Sequence, residues 1–232
     1  MDLSDLPPNL NPPTPRDHPY VWATWLRSLL SGEASCEWAA WFKAHNKHTK
    51  RPNGDDDGKL AQWQIEHATL LANVRDKFRA DGYTVFQEQQ NAFKLKAPIG
   101  TLAGKPDLIA LKDKTAWVID VKTKSIKVRD RAQVMLYMWA LPMANIPRYR
   151  GVRFDGRIIT PSGEMIIGAD EVDAQFIARV KGLLRRVCGP TPLFTSPSGG
   201  ECRYCDISSD DCHDRLEEPP ESEEDDEMTD AF

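Results

Sequence analysis

Thr115-Ala-Trp-Val-Ile-Asp-Val-Lys-Thr123 follows the turn signal Lys112-Asp113-Lys114 and is built mainly from β-branched and aromatic residues. It predicts a β-strand over about 115–123, with side chains alternating between the two faces. Trp117, Ile119 and Val121 then share one face, and Val118, Asp120 and Lys122 share the other. An acid and a base two positions apart therefore point into the same space. The preceding Gly104-Lys-Pro-Asp-Leu-Ile109 opens a strand over about 105–112, and the short turn makes the two a hairpin that can carry Asp107 to Asp120. Two carboxylates at one point repel each other unless a cation lies between them. Oxygen ligands suit hard ions such as Mg²⁺ or Mn²⁺, which polarise a phosphodiester and lower the pKa of bound water. Lys122 is placed to orient that water or to stabilise charge developing on a phosphate. Asp120 and Lys122 alone would read as the solvent face of a surface hairpin; Asp107 shifts the reading to a metal site.

Working outward, a helix over about 128–141 follows, closed by Pro142, and carries Gln133 and Tyr137 four residues apart on one face. Upstream, strands are expected at about 83–89 and 91–96, after a long helix from Lys59 to Ala80 with the stripe Leu60, Trp63, Leu70, Leu71, Val74 and Phe78. His67 lies on that stripe, so it is expected to face inward, either as a satisfied core histidine or as a ligand. Glu66 points off the stripe, and Glu88 on the first strand has no spacing rule to rank it. From Tyr20 the pattern Val21, Trp22, Trp25, Leu26, Leu29 and Leu30 is helical and ends at Gly32, and a second helix begins near Ser35. Residues 46–58 read as a solvated loop. After the central helix, residues 150–167 suggest a small strand meander, and Glu171–Val187 an amphipathic helix stopped by Gly189. The order of elements predicts an α/β fold with a mixed sheet flanked by helices.

The 232 residues suffice for one full-sized domain. Residues 1–18 carry five prolines and are expected to be an irregular arm. The formal charge of −5 is dominated by residues 214–232, which hold ten acidic residues and one Arg. Without that tail the body is net basic, as suits phosphate binding, and the tail itself reads as disordered. It is either a solubilising tail or one that mimics DNA or binds a partner. No apolar run approaches about 18 residues, and the start lacks a signal-peptide pattern. The expected compartment is the cytoplasm, with no membrane association. Arg129 and Arg131 beside the central helix are candidate phosphate contacts, or an ordinary solvated helix start.

The five cysteines form an odd set in a chain with no secretion signal, which argues against a disulfide framework. Cys202, Cys205 and Cys212 fall within eleven residues and need a fourth ligand. His213 would complete a zinc site; Cys36, returning from the N-terminal helices, would complete an iron–sulfur site. Cys188 is left over as a buried thiol.

Pro106-Asp107 followed by Asp120-Val-Lys122 resembles the PD-(D/E)xK nuclease superfamily. Gln133-Val-Met-Leu-Tyr137 is similar to the Q-x-x-x-Y motif of its RecB-like exonuclease branch. The resemblance covers about residues 20–213. It implies a restriction-endonuclease-like mixed sheet, with an N-terminal helical segment (19–58), a core (59–187) and a cysteine cluster (188–213). It implies a Mg²⁺- or Mn²⁺-dependent deoxyribonuclease acting on single-stranded DNA ends. Asp107, Asp120, Lys122, Gln133 and Tyr137 would be catalytic, and His67, Asp107, Asp120 and the Val121 backbone carbonyl would hold the metal. It also implies that Cys36, Cys202, Cys205 and Cys212 hold a [4Fe–4S] cluster, as in helicase-associated and CRISPR-associated members. Closing a loop of about 170 residues would restrict the unfolded chain. A helicase or CRISPR adaptation proteins are the implied partners. Two other functions are open: a non-catalytic nucleic-acid-binding or assembly module, and a zinc-binding interaction protein.

Overall fold

The computed structural model describes residues 12–51 and 57–216. Its elements run β1 (Thr14–Pro15), β2 (Tyr20–Trp22), α1 (Ala23–Ser31), α2 (Glu37–His45), β3 (Asn46–Lys47) and α3 (Asp57–Ala80). Then come β4 (Thr84–Gln87), β5 (Phe93–Ala97), β6 (Gly100–Gly104), β7 (Leu108–Lys112) and β8 (Thr115–Val121). The chain continues through α4 (Val128–Ala140), β9 (Arg153–Thr160), β10 (Gly163–Ile167), α5 (Ala174–Val187) and α6 (Gly199–Arg203).

The central sheet has the order β10-β9-β8-β7-β4. Strand β8 pairs antiparallel with β7 and parallel with β9, so it is covered along both edges. Its alternation sorts the core into two layers. Ile119 and Val121 pack with Leu71, Val74 and Phe78 of α3 on one face. Val118 packs with Val134, Leu136 and Met138 of α4 on the other. The register of β7 and β8 places Leu108 opposite Ile119, which sets Asp107 beside Asp120 at the end of the hairpin. The mixed sheet between helices agrees with the sequence expectation.

Several local expectations are corrected. Tyr20–Trp22, read as the start of a helix, is a strand that pairs parallel with β6; the helix starts at Ala23. The apolar spacing is the same for both states over three residues, and a strand partner eighty positions away decides. Gly100–Gly104 is a strand of its own, in a second sheet of order β2-β6-β5, and β7 begins only at Leu108. Pro106 lies between β6 and β7 and has no N–H to donate to a ladder. Residues Glu88–Asn91 are a 3₁₀ turn, not strand. The last long helix starts at Ala174, where the Asp173 carboxylate accepts from Phe176 N–H at 2.7 Å. Thr14–Pro15 of the expected irregular arm pairs with Asn46–Lys47 of the expected loop. Asp214–Leu216 do not yet belong to a free tail: the Arg215 guanidinium donates to the carbonyls of Cys202, Cys205 and Ile207. The reading of 217–232 as disordered lies outside the described residues.

Gly104 at the end of β6 is a close-approach position. An added Cβ there would stand 2.5 Å from the Phe93 ring and 2.8 Å from the Tyr137 ring. Gly104→Ala is therefore expected to destabilise the fold by about 1–3 kcal/mol. Thermal unfolding checks it, as a midpoint lower than wild type by roughly 2–10 °C.

Candidate active site

The carboxylates converge where β7 begins and β8 ends, and both helical layers contribute. Asp107 Oδ2 accepts the Val121 N–H at 3.0 Å, which fixes the first carboxylate to the strand carrying the second. Asp120 is 2% exposed. Its Oδ2 lies 2.5 Å from Lys122 Nζ but makes no hydrogen bond of good geometry among the described residues. From α4, Gln133 Nε2 donates to Asp120 Oδ1 at 3.1 Å and reaches the Tyr137 hydroxyl at 3.4 Å. From α3, His67 Nε2 lies 3.7 Å from Asp107 Oδ2. The alternative of a solvent-facing hairpin is excluded by this burial.

His67 is half-buried, not fully inward. Its stripe splits: Leu71, Val74 and Phe78 are in the core, while Leu60 and Trp63 are exposed because α3 projects past the sheet. His67 stands at the transition, and its ring lies 5.3 Å from that of Trp63. Glu88 pairs with Lys105 at 3.9 Å and its N–H donates to the Asp107 carbonyl, so it supports the Asp107 segment.

Burial pushes the Asp120 carboxyl up to about 7, with the Asp107 charge adding to the shift and Lys122 opposing it. A hydrogen bond to Asp107 raises the His67 pKa. Burial and the two carboxylates push the Tyr137 phenol well above its usual range, so it is a neutral donor at physiological pH. Among the described residues no three His, Cys, Asp or Glu side chains stand in a ready-made metal-holding group. The donor set nonetheless fits a hard divalent ion: one imidazole, two facing carboxylates, and a buried carboxylate oxygen with an unsatisfied lone pair.

Sequence reading missed Arg27. Its Nη1 donates to Gln133 Oε1 at 3.0 Å and lies 3.5 Å from buried Asp130. This orients the Gln133 amide with its NH₂ toward Asp120. The available signal was a single cation within the apolar helix α1. Arg129 and Arg131, the candidate DNA contacts, are each tied to a carboxylate, Glu33 and Glu171 respectively.

The cysteines form a separate constellation. Cys36, Cys202, Cys205 and Cys212 line one cavity of about 790 Å³. Burial raises the Cys212 thiol, and the other three cysteines add to the shift. Cys188 lies apart, buried against Gly100, and its thiol is pushed up to about 11 by burial. His213 is exposed and does not line the cysteine cavity. Glu201 ties this region to the N-terminal helices, accepting from Ser35 N–H at 2.8 Å and from Cys36 N–H at 3.0 Å.

The Asp120 shift has a stability consequence. In the unfolded chain the group ionises from about pH 4, whereas in the fold it stays protonated up to about pH 7. The unfolded state thus binds fewer protons in that window, and metal-free stability falls as pH rises through it. Asp120→Asn is expected to remove this loss and to be more stable than metal-free wild type at pH 8. Unfolding midpoints across pH 4–8 check this. A variant less stable than wild type at pH 8 would contradict it.

No curated protein matches the chain. Among solved structures, the crystal structure of SSO0001 is similar at 19% identity, covering 87% of this chain and 90% of that one. The TM-score is 0.45, too loose a likeness to carry an argument. A family model described as the PD-(D/E)XK nuclease superfamily matches residues 23–209, most of the chain and all of the elements that build the site. The mixed sheet flanked by helices is the restriction-endonuclease-like fold of that family. The chain belongs to the PD-(D/E)XK nuclease superfamily.

Proposed function

We propose that this protein hydrolyses phosphodiester bonds of DNA with Mg²⁺ or Mn²⁺, as a RecB-like exonuclease acting on single-stranded ends. The observation that carries the proposal is the meeting of Asp107, Asp120 and Lys122 at one end of the hairpin, with His67 and Gln133 closing on them from opposite layers. An intact acid and lysine in that geometry favour catalysis over a binding module that has lost its chemistry.

His67, Asp107, Asp120 and the Val121 carbonyl would hold the ion, which supplies charge neutralisation on the phosphate and acidifies a bound water. Gln133 donates to one oxygen of Asp120, and the other faces Lys122 Nζ and the site. Lys122 can hold the attacking water or stabilise charge on the phosphate. Tyr137, kept neutral, can donate to a phosphate oxygen. The water oxygen forms the new bond to phosphorus and gives up a proton to solvent, the bond to the leaving oxygen breaks, and that oxygen takes up a proton from solvent and leaves as an alcohol.

The cysteine cavity supports a structural [4Fe–4S] cluster on Cys36, Cys202, Cys205 and Cys212, joining the two ends of the domain. His213 lies outside the cavity, so a zinc ion there would take the same four cysteines. A helicase or CRISPR adaptation proteins fit as partners of such a nuclease.

Purified protein with Mn²⁺ is expected to shorten labelled single-stranded DNA. Asp120→Ala or Lys122→Ala should slow this by about 10²–10³-fold or more, and chelation should abolish it. Equal cleavage by wild type and Asp120→Ala would refute the assignment. In the same preparations, made anaerobically, wild type and Cys188→Ser should be brown and contain iron, and Cys202→Ser should lose both. A colourless, zinc-loaded wild type would refute the cluster.

A further inference from the structure

A second cleft lies on the N-terminal side of the molecule, away from the paired carboxylates. It has a volume of about 420 Å³, and its walls include Arg16, Trp22, Trp25, Lys47, His48 and Lys50. Three features distinguish it from an ordinary charged surface. First, its cations lack carboxylate partners: among the described residues none of Arg16, Lys47 and Lys50 is in an ion pair; Arg16 lies over the Tyr20 ring, and Lys47 and Lys50 are exposed. The one carboxylate on its wall, Asp206, is engaged by Lys43 at 3.2 Å. Second, aromatic surface is interleaved with the cations. Trp22 is 38% exposed although it sits on a strand whose neighbour Val21 is fully buried. Third, Arg16 Nε and His48 Nε2 are buried without a hydrogen-bond partner among the described residues, a cost that a polar ligand can offset.

The backbone holds these groups in place. Strand β1 pairs with β3, with Thr14 opposite Lys47 and Pro15 opposite Asn46, and Arg16 N–H donates to the His45 carbonyl at 2.7 Å. Arg51 N–H donates to the Asp206 carbonyl at 2.9 Å, closing the floor. The cleft borders the cavity that Cys36, Cys202, Cys205 and Cys212 line. Thr24 and Trp25 line both this cleft and the larger cavity that reaches Arg27 and Lys127. Arg27 in turn holds Gln133 against Asp120.

The geometry points to a binding site for single-stranded DNA in this cleft: a base stacks on Trp22, and the flanking phosphates sit on Arg16, Lys47 and Lys50. Cations interleaved with exposed aromatics are the chemistry that grips a single strand without reading its sequence. Arg129 and Arg131 are neutralised by Glu33 and Glu171, so this cleft presents the less compensated positive charge. The inference rests on the nuclease reading for its substrate, and gives that nuclease a strand-holding site apart from the metal-binding residues.

The test uses the full chain carrying Asp120→Ala, in chelator, so that binding is read without cleavage. Fluorescence anisotropy is measured with a labelled oligothymidylate of about 16 nucleotides, an abasic strand of the same length, and a duplex. Adding Trp22→Ala should weaken oligothymidylate binding about tenfold and leave abasic binding unchanged, while Trp22→Phe should keep most of the affinity. Adding Lys47→Glu with Lys50→Glu should weaken both strands and flatten the dependence of log K on log salt by about 1.4, two single-strand phosphate contacts. Thermal midpoints show that each variant folds; if Trp22→Ala does not, the lysine pair decides. Oligothymidylate binding unchanged by the lysine pair, or by a folded Trp22→Ala, overturns the cleft. A Trp22→Ala loss that persists on the abasic strand overturns the stacking role, and a duplex bound as tightly overturns the single-strand assignment. The outcomes separate from those of the nuclease reading. Binding that depends on the cleft without cleavage by wild type removes only the nuclease reading, and cleavage with unaltered binding by the variants removes only the cleft.

Discussion

The burial of one carboxylate, Asp120, beside another is the constraint on which the site depends. A carboxylate 2% exposed, facing Asp107, raises the energy of its own ionised form. The surrounding structure is the set of partners that makes this tolerable. Strand β8 is paired on both edges, so its register cannot slip without breaking two ladders. A slip of one residue would turn Asp120 to the α3 face, where Ile119 and Val121 now pack. Val121 N–H takes one oxygen of Asp107, Gln133 takes one oxygen of Asp120, and Lys122 offsets part of the remaining charge. A divalent ion between the two carboxylates would complete the balance.

A second constraint joins the ends of the chain to this centre. The start of α2 leaves backbone N–H groups that its own N-cap side chain does not satisfy. Glu201, 165 residues on from Cys36, accepts from Cys36 and Ser35 instead, a charge at the end where the helix dipole favours it. Trp41 Nε1 donates to the Gly189 carbonyl and Glu37 pairs with Arg186 on the same side. The N-terminal helices are thereby held against α5 and the cysteine segment, and α1 is held where Arg27 can orient Gln133. The four-cysteine cavity lies at the junction already tied by these bonds.

The sequence was most informative where chemistry and periodicity coincide. Period-two alternation separated Asp120 and Lys122 from Ile119 and Val121, and the four-residue spacing of Gln133 and Tyr137 put both on the inner face of α4. It was least informative where a distant partner decides. Tyr20–Trp22 is a strand because β6 lies beside it, and Gly100–Gly104 is short enough to pass as a loop. Arg27 and Glu201 act across 106 and 166 positions, which no local pattern reports. The stripe on α3 gave the correct face but not where the sheet stops covering it, so Trp63 and Leu60 are exposed and His67 stands at the border.

The central claim is that buried Asp120 and its partner Asp107 form a divalent-metal site, and titration of the metal-free protein with Mn²⁺ at pH 8, followed calorimetrically, tests it most directly. The account predicts saturable binding to wild type that is lost in Asp107→Asn and in Asp120→Asn while both variants remain folded. Mn²⁺ binding of equal affinity and stoichiometry in wild type and Asp120→Asn would contradict it.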